Sequence, residues 1–77
     1  MHKYWAEREK KQYEEALLEL DDFKLSSSCE SIRDDLGLAF ENYIIAMACY
    51  MRGDRSTGGY YEDIGTDYAE EAARKLG

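Results

Sequence analysis

The sequence contains no proline, one histidine and two cysteines. Without proline, no helix interior is forced to kink or stop, which suits a mostly helical chain. The lone histidine, His2, sits in a terminal turn of the kind that frays, so catalysis through an imidazole has no candidate. Cys29 and Cys49 are 20 positions apart in one expected helix. That separates them by roughly 30 Å along the axis and points them to opposite sides. An intramolecular disulfide would break the helix, so free thiols in a reducing compartment are expected. Long apolar runs are missing too. The longest, LGLAFENYIIAMACYM at residues 36–51, is interrupted by Glu41 and Asn42 and falls short of the roughly 20 apolar residues of a membrane span. No signal-peptide or anchor pattern is seen, and a cytoplasmic protein with no membrane partner is expected.

Basic charge is also scarce. Ten Lys and Arg stand against 17 Asp and Glu, a formal net charge of −7. The imbalance is uneven: residues 1–13 carry a net +2, and residues 14–71 a net −11. Such a surface repels nucleic acid and anionic membranes and attracts basic protein surfaces. The segment HKYWAEREKK sets cations beside two aromatics, yet the field of the whole chain opposes direct nucleic-acid binding.

What is present in quantity is helical periodicity. Seventy-seven residues make one small domain, and the expected class is all-α. Two antiparallel helices, about 2–25 and 28–52, are joined by a short loop, and a third, shorter or kinked helix spans about 60–76. In the first, Trp5, Ala6, Tyr13, Ala16, Leu17, Leu20 and Phe23 share one side. Glu9 falls within that stripe, so the first two turns are expected to project or pack loosely. Ser27-Ser28-Cys29-Glu30 reads as a capping box opening the second helix. Its core stripe holds Cys29, Ile32, Leu36, Phe40, Tyr43, Met47 and Tyr50, with Ala39 and Ala46 at the edge. A second stripe, Leu38, Ile45 and Cys49, lies almost opposite. A helix apolar on two sides needs two coverings, from the rest of the chain, from a second copy or from a different partner.

Residues 52–59, RGDRSTGG, read as a loop, and Gly65 as a break in the last helix. Arg74 and Lys75 complement that helix's C-terminal dipole, and Gly77 suits the position beyond it. Gly37 either tolerates a cost of about 1 kcal/mol within its helix or marks close approach of another. Of the seven tyrosines, Tyr13, Tyr43, Tyr50 and Tyr68 fall on core stripes. Tyr4, Tyr60 and Tyr61, together with Trp5, lie near segment ends, freer to meet a partner.

Signatures of chemistry fail one by one. Arg52-Gly53-Asp54 is a turn. Asp54, Ser56, Gly59 and Glu62 follow a calcium-loop spacing, but Gly58 and Gly65 occupy its fifth and twelfth positions. Gly53 and Gly58 lack the lysine that a phosphate loop needs. Cys29, Cys49 and His2 have no zinc spacing. Neither metal nor cofactor is expected, and the chain is read as no enzyme.

Binding is the expectation that survives. Glu14, Glu15, Glu19, Asp21, Asp22, Asp34, Asp35, Glu62 and Asp63 would form an acidic docking surface, with Leu18 as an apolar anchor ringed by carboxylates. Acids three or four apart on a helix sit about 5–6 Å from one another and can imitate a phosphate strand. In size and acidity the chain is similar to small helical inhibitors made by bacteriophages, among them anti-CRISPR and anti-restriction proteins. That likeness is one of composition and rests on no motif. It implies a protein partner with a basic, nucleic-acid-binding groove, met in a host cytoplasm. The rival expectation is an assembly protein forming a homodimer through Leu38, Ile45 and Cys49.

Overall fold

A computed structural model describes the backbone of residues 3–22 and 27–77 and the side chains of residues 3–20 and 30–77. It consists of three helices, α1 (Lys3–Asp22), α2 (Ser27–Met51) and α3 (Arg55–Leu76), with no strand among the described residues. The chain is all-α. Of the expected turn at residues 25–28, positions 25 and 26 lie outside the described residues, while Ser27 and Ser28 already belong to α2. The side chains of Phe23 and Cys29 and the Ser27 hydroxyl of the capping box lie outside the described residues as well.

The most apolar segment becomes the centre. α2 packs against α1 on one flank and α3 on the other, while the α1 and α3 backbones do not approach each other among the described residues. The Cα envelope measures 40 × 21 × 14 Å, so the domain is thin in one direction. Few side chains can be sealed in such a slab. Among the described residues the fully buried hydrophobic ones are Ala6, Ala39, Ala46, Met47, Cys49 and Ala72, mostly small groups.

Contacts pair the ends of α1 and α2. Trp5 meets Tyr50 with ring centroids 6.2 Å apart, and Tyr13 stacks on Tyr43 at 5.0 Å. Near the other end of α1, Leu17 and Leu20 flank Gly37. The first two turns of α1 therefore do not project, as Glu9 had suggested. Ala6 is sealed in the core, with Trp5 packed against it, and Glu9, on the same stripe, stays half-exposed.

A three-residue turn reverses the chain between α2 and α3. Gly53 takes φ +81°, the left-handed conformation glycine adopts without strain. The amides of Arg52, Gly53 and Asp54 close onto the carbonyls of Cys49 and Tyr50 at 3.0 Å, satisfying the end of α2. Asp54 then caps α3, its carboxylate accepting from the Thr57 amide at 3.1 Å.

α3 departs from the expected third helix. It begins at Arg55 instead of 60, runs unbroken through Gly65, and at 22 residues exceeds the 20 of α1. The expected loop and break rested on the low helix propensity of Gly58, Gly59 and Gly65. Packing overrides it. Gly58, Gly65 and Ala72 recur every seven residues and are all buried, the spacing that keeps one seam facing a partner helix. Tyr50 lies over Gly58 and Tyr43 over Gly65. Both phenols are then tied to α3: the Tyr50 hydroxyl donates to Glu62 Oε1 at 3.0 Å, and that of Tyr43 shares a 3.0 Å bond with Thr66 Oγ1. At the far end Lys75 Nζ reaches Asp35 Oδ2 at 2.6 Å, giving a buried oxygen a polar partner.

Candidate functional site

The expected acidic surface divides into exposed and occupied groups. Glu14, Glu15, Glu19, Asp34 and Asp63 are exposed. Leu18 stands among the first three at 66% exposure. Lys10 pairs with Glu14 across one turn at 3.0 Å, a surface contact worth little in itself.

Two expected members also make contacts within the fold. Asp35 is held by Lys75, with its side chain only 13% exposed. Glu62 accepts the Tyr50 hydroxyl. Both partners come from another helix, which periodicity along one helix does not reveal. The side chains of Asp21 and Asp22 lie outside the described residues.

The second stripe of α2 divides as well. Leu38 and Ile45 are 37% and 43% exposed, whereas Cys49 is buried at 2%. Cys49 is thus withdrawn from the expected dimer seam. It lies where α2 turns into α3, with the Arg52 guanidinium donating to its sulfur at 3.3 Å. Trp5 and Tyr61 pack against the core and are likewise not the free aromatics expected, while Tyr4 and Tyr60 are open to solvent.

Beside Leu38 the surface is concave. Leu17 and Leu20 of α1 and Arg33, Asp34, Gly37, Leu38 and Glu41 of α2 line a groove of about 660 Å³. A smaller hollow of about 300 Å³ lies between Ala16, Glu19 and Leu20 of α1 and Leu36 and Phe40 of α2. Gly37 supplies no side chain to the larger groove, and the nearest α1 atoms to its missing Cβ are methyls at 3.8 and 3.9 Å. Gly37 and Glu41 were not among the expected binding residues. A glycine inside an apolar helix was the one signal that pointed there.

The ionisable groups with displaced titration serve the fold. Burial pushes the Tyr13 phenol above its ordinary value, helped by the charge of Glu9. Burial likewise raises Tyr50, reinforced by its bond to Glu62. The Thr57 amide holds Asp54 below the usual carboxylate value. Among the described residues, no three His, Cys, Asp or Glu side chains converge as metal ligands would, and no helix is long and apolar enough to cross a membrane.

The chain matches no family model, no curated protein and no solved structure.

Proposed function

We propose that this chain acts by binding, without catalysis, as an acidic module that docks on a basic surface of another protein. The observation that carries the reading is Leu18, exposed among the exposed carboxylates of Glu14, Glu15 and Glu19. An apolar anchor encircled by charge gives a partner both area to bury and a sign to recognise. The reading takes α1 and α2 as an antiparallel pair. The stepped contacts of Trp5 with Tyr50, Tyr13 with Tyr43 and Leu20 with Gly37 support that arrangement. Held on a rigid α1, Glu15 and Glu19 lie one turn apart, about 5–6 Å, close to the spacing of successive phosphates. The partner would be a protein whose Lys and Arg otherwise hold nucleic acid, the target of a phage-type anti-CRISPR or anti-restriction inhibitor.

The test is a pull-down from the native host at low and high salt, repeated with Glu15→Lys/Glu19→Lys. The captured protein should be lost at high salt, lost with the charge-reversed chain, and released by nucleic acid. Capture indifferent to all three would end the reading.

A second reading is favoured by Leu38 and Ile45, one heptad apart and both partly exposed. They fit a homodimer seam, with the charge serving solubility. Sedimentation of the chain alone at two concentrations distinguishes it.

A further inference from the structure

We infer that the groove between α1 and α2 at Leu38 receives a basic, amphipathic α-helix of the partner protein. This rests on the binding reading above and adds to it the shape and chemistry of the partner's docking element.

The pattern comes from α2. Asp34 precedes Leu38 by four residues, and Glu41 precedes Ile45 by four, so each acid is a surface neighbour of its apolar residue. The two acid–apolar pairs are themselves seven residues apart, about 10.5 Å along the axis. A helix laid along α2 meets this repeat every two turns, placing apolar side chains on Leu38 and Ile45 and long cationic ones over Asp34 and Glu41. Leu17 and Leu20 form the opposite wall, and Gly37 leaves room between.

Charge complementarity selects the occupant. Asp34 and Glu41 are exposed at the rim and outnumber the half-buried Arg33 in the groove lining, and the whole chain carries −7. A second copy would bring the same acids and the same net charge to this face, which like-charge repulsion disfavours. Nucleic acid has the wrong sign. No sheet edge exists among the described residues to which an extended peptide could add, and the heptad spacing of Leu38 and Ile45 matches the side-chain repeat of a docked helix.

The probe is a dye-labelled synthetic peptide of three heptads, with leucine at a and d positions and lysine on either side. Its anisotropy is followed against the intact chain at low and high salt. The comparison peptide has the same composition in permuted order. Saturable binding is expected, at least about tenfold tighter than for the permuted peptide. Leu38→Gln and Ile45→Gln should each weaken it about tenfold, and Asp34→Asn/Glu41→Gln should flatten its salt dependence. The permuted-peptide comparison uses the unaltered chain, so a folding defect cannot imitate the result.

Equal binding of both peptides means attraction by charge alone. It overturns the helix proposal and leaves the acidic-module reading intact. Absence of binding to the ordered peptide, while the salt-sensitive partner is still captured from the host, has the same meaning. A stable dimer that dissociates on Leu38→Gln gives the face to a second copy and also overturns it. The acidic-module reading fails separately, through capture that ignores Glu15→Lys/Glu19→Lys.

Discussion

The ring of Tyr43 fills the space that a side chain at Gly65 would need. A Cβ there would lie 2.8 Å from Cδ1 and Cε1 of the ring and 3.0 Å from the carbonyl oxygen of Ala39. One neighbour is backbone, and the other is a ring stacked on Tyr13 and bonded to Thr66, so neither yields easily. Gly65→Ala should gain about 1 kcal/mol in helix propensity and lose more through overpacking, typically 1–3 kcal/mol. A net fall in the urea midpoint is expected. Gly58→Ala, whose Cβ would meet Tyr50 Cε1 at 2.5 Å, should behave alike. Unchanged midpoints would mean that the two helices do not approach this closely.

Gly37→Ala is the counter-case. Its Cβ would meet only Leu20 and Leu17 methyls at 3.8 and 3.9 Å, ordinary contact distances. The propensity gain then stands unopposed, and stability should rise by about 0.5–1 kcal/mol. Thermal denaturation of the two alanine variants side by side should show shifts of opposite sign.

These three glycines also show what was legible in the sequence. Periodicity foresaw three helices and picked out Leu38, Ile45 and Leu18 as apolar residues outside the main seam, because both depend only on spacing along one helix. The start of α3 was misplaced because Gly58, Gly59 and Gly65 are poor helix formers in isolation. Only the tyrosines across the seam turn their small size into an advantage. The heptad of Gly58, Gly65 and Ala72 was present in the sequence, but small residues give no hydrophobic signal. The partners of Asp35 and Glu62 and the cover over Cys49 were not legible for a related reason: they lie beyond each residue's own helical repeat. In contrast, Gly77 at φ +87°, following Arg74 and Lys75 in the last turn, needed only local chemistry to be foreseen.

Asp54 ties the start of α3 to pH. Its bond from the Thr57 amide lowers its folded-state pKa below the ordinary 3.8. A depressed carboxylate contributes stability that is fully present above the unfolded value and is lost as pH falls through the folded one. Asp54→Asn keeps a capping acceptor but removes this titration, so its stability should fall less steeply than that of the natural chain between about pH 5 and 2. Asp54→Ala should be less stable at neutral pH as well, as urea midpoints across the range would show. Parallel acid limbs for the natural chain and Asp54→Asn would rule out the cap as their source.

Ile45→Glu separates a solvent-facing α2 from a covered one. At 43% exposure the new carboxylate can reach water, so a single chain should keep its helical circular dichroism and lose no more than about 1 kcal/mol. Met47→Glu, at a position 1% exposed, should unfold it, since an isolated buried carboxylate has no compensating partner. Were the chain a dimer through Leu38 and Ile45, Ile45→Glu would halve the sedimenting mass. Unfolding by both substitutions in a chain that sediments as a monomer would contradict the exposure of this face.

At the alkaline end the tyrosine seam should set the limit. Tyr13 and Tyr50 are both pushed above the ordinary value of 10.0, first by burial, then for Tyr13 by the charge of Glu9 and for Tyr50 by its hydrogen bond to Glu62 and the charge of that carboxylate. A phenol raised in the folded state binds its proton more tightly there than in the unfolded chain. Its contribution is therefore complete below about pH 10 and disappears as pH rises through the folded value. Tyrosinate absorbance should show a late-titrating fraction that collapses together with helicity, because ionised Tyr50 would face the Glu62 carboxylate it now donates to. Tyr50→Phe should remove part of that fraction and flatten the alkaline limb, at some loss of stability at neutral pH from the vanished bond. Glu62→Gln keeps an acceptor for the phenol but removes the like charge, so Tyr50 should ionise earlier while the helix pair survives to higher pH. A chain whose tyrosines all titrate together near 10, with no variant altering the alkaline limb, would show that this seam does not govern it.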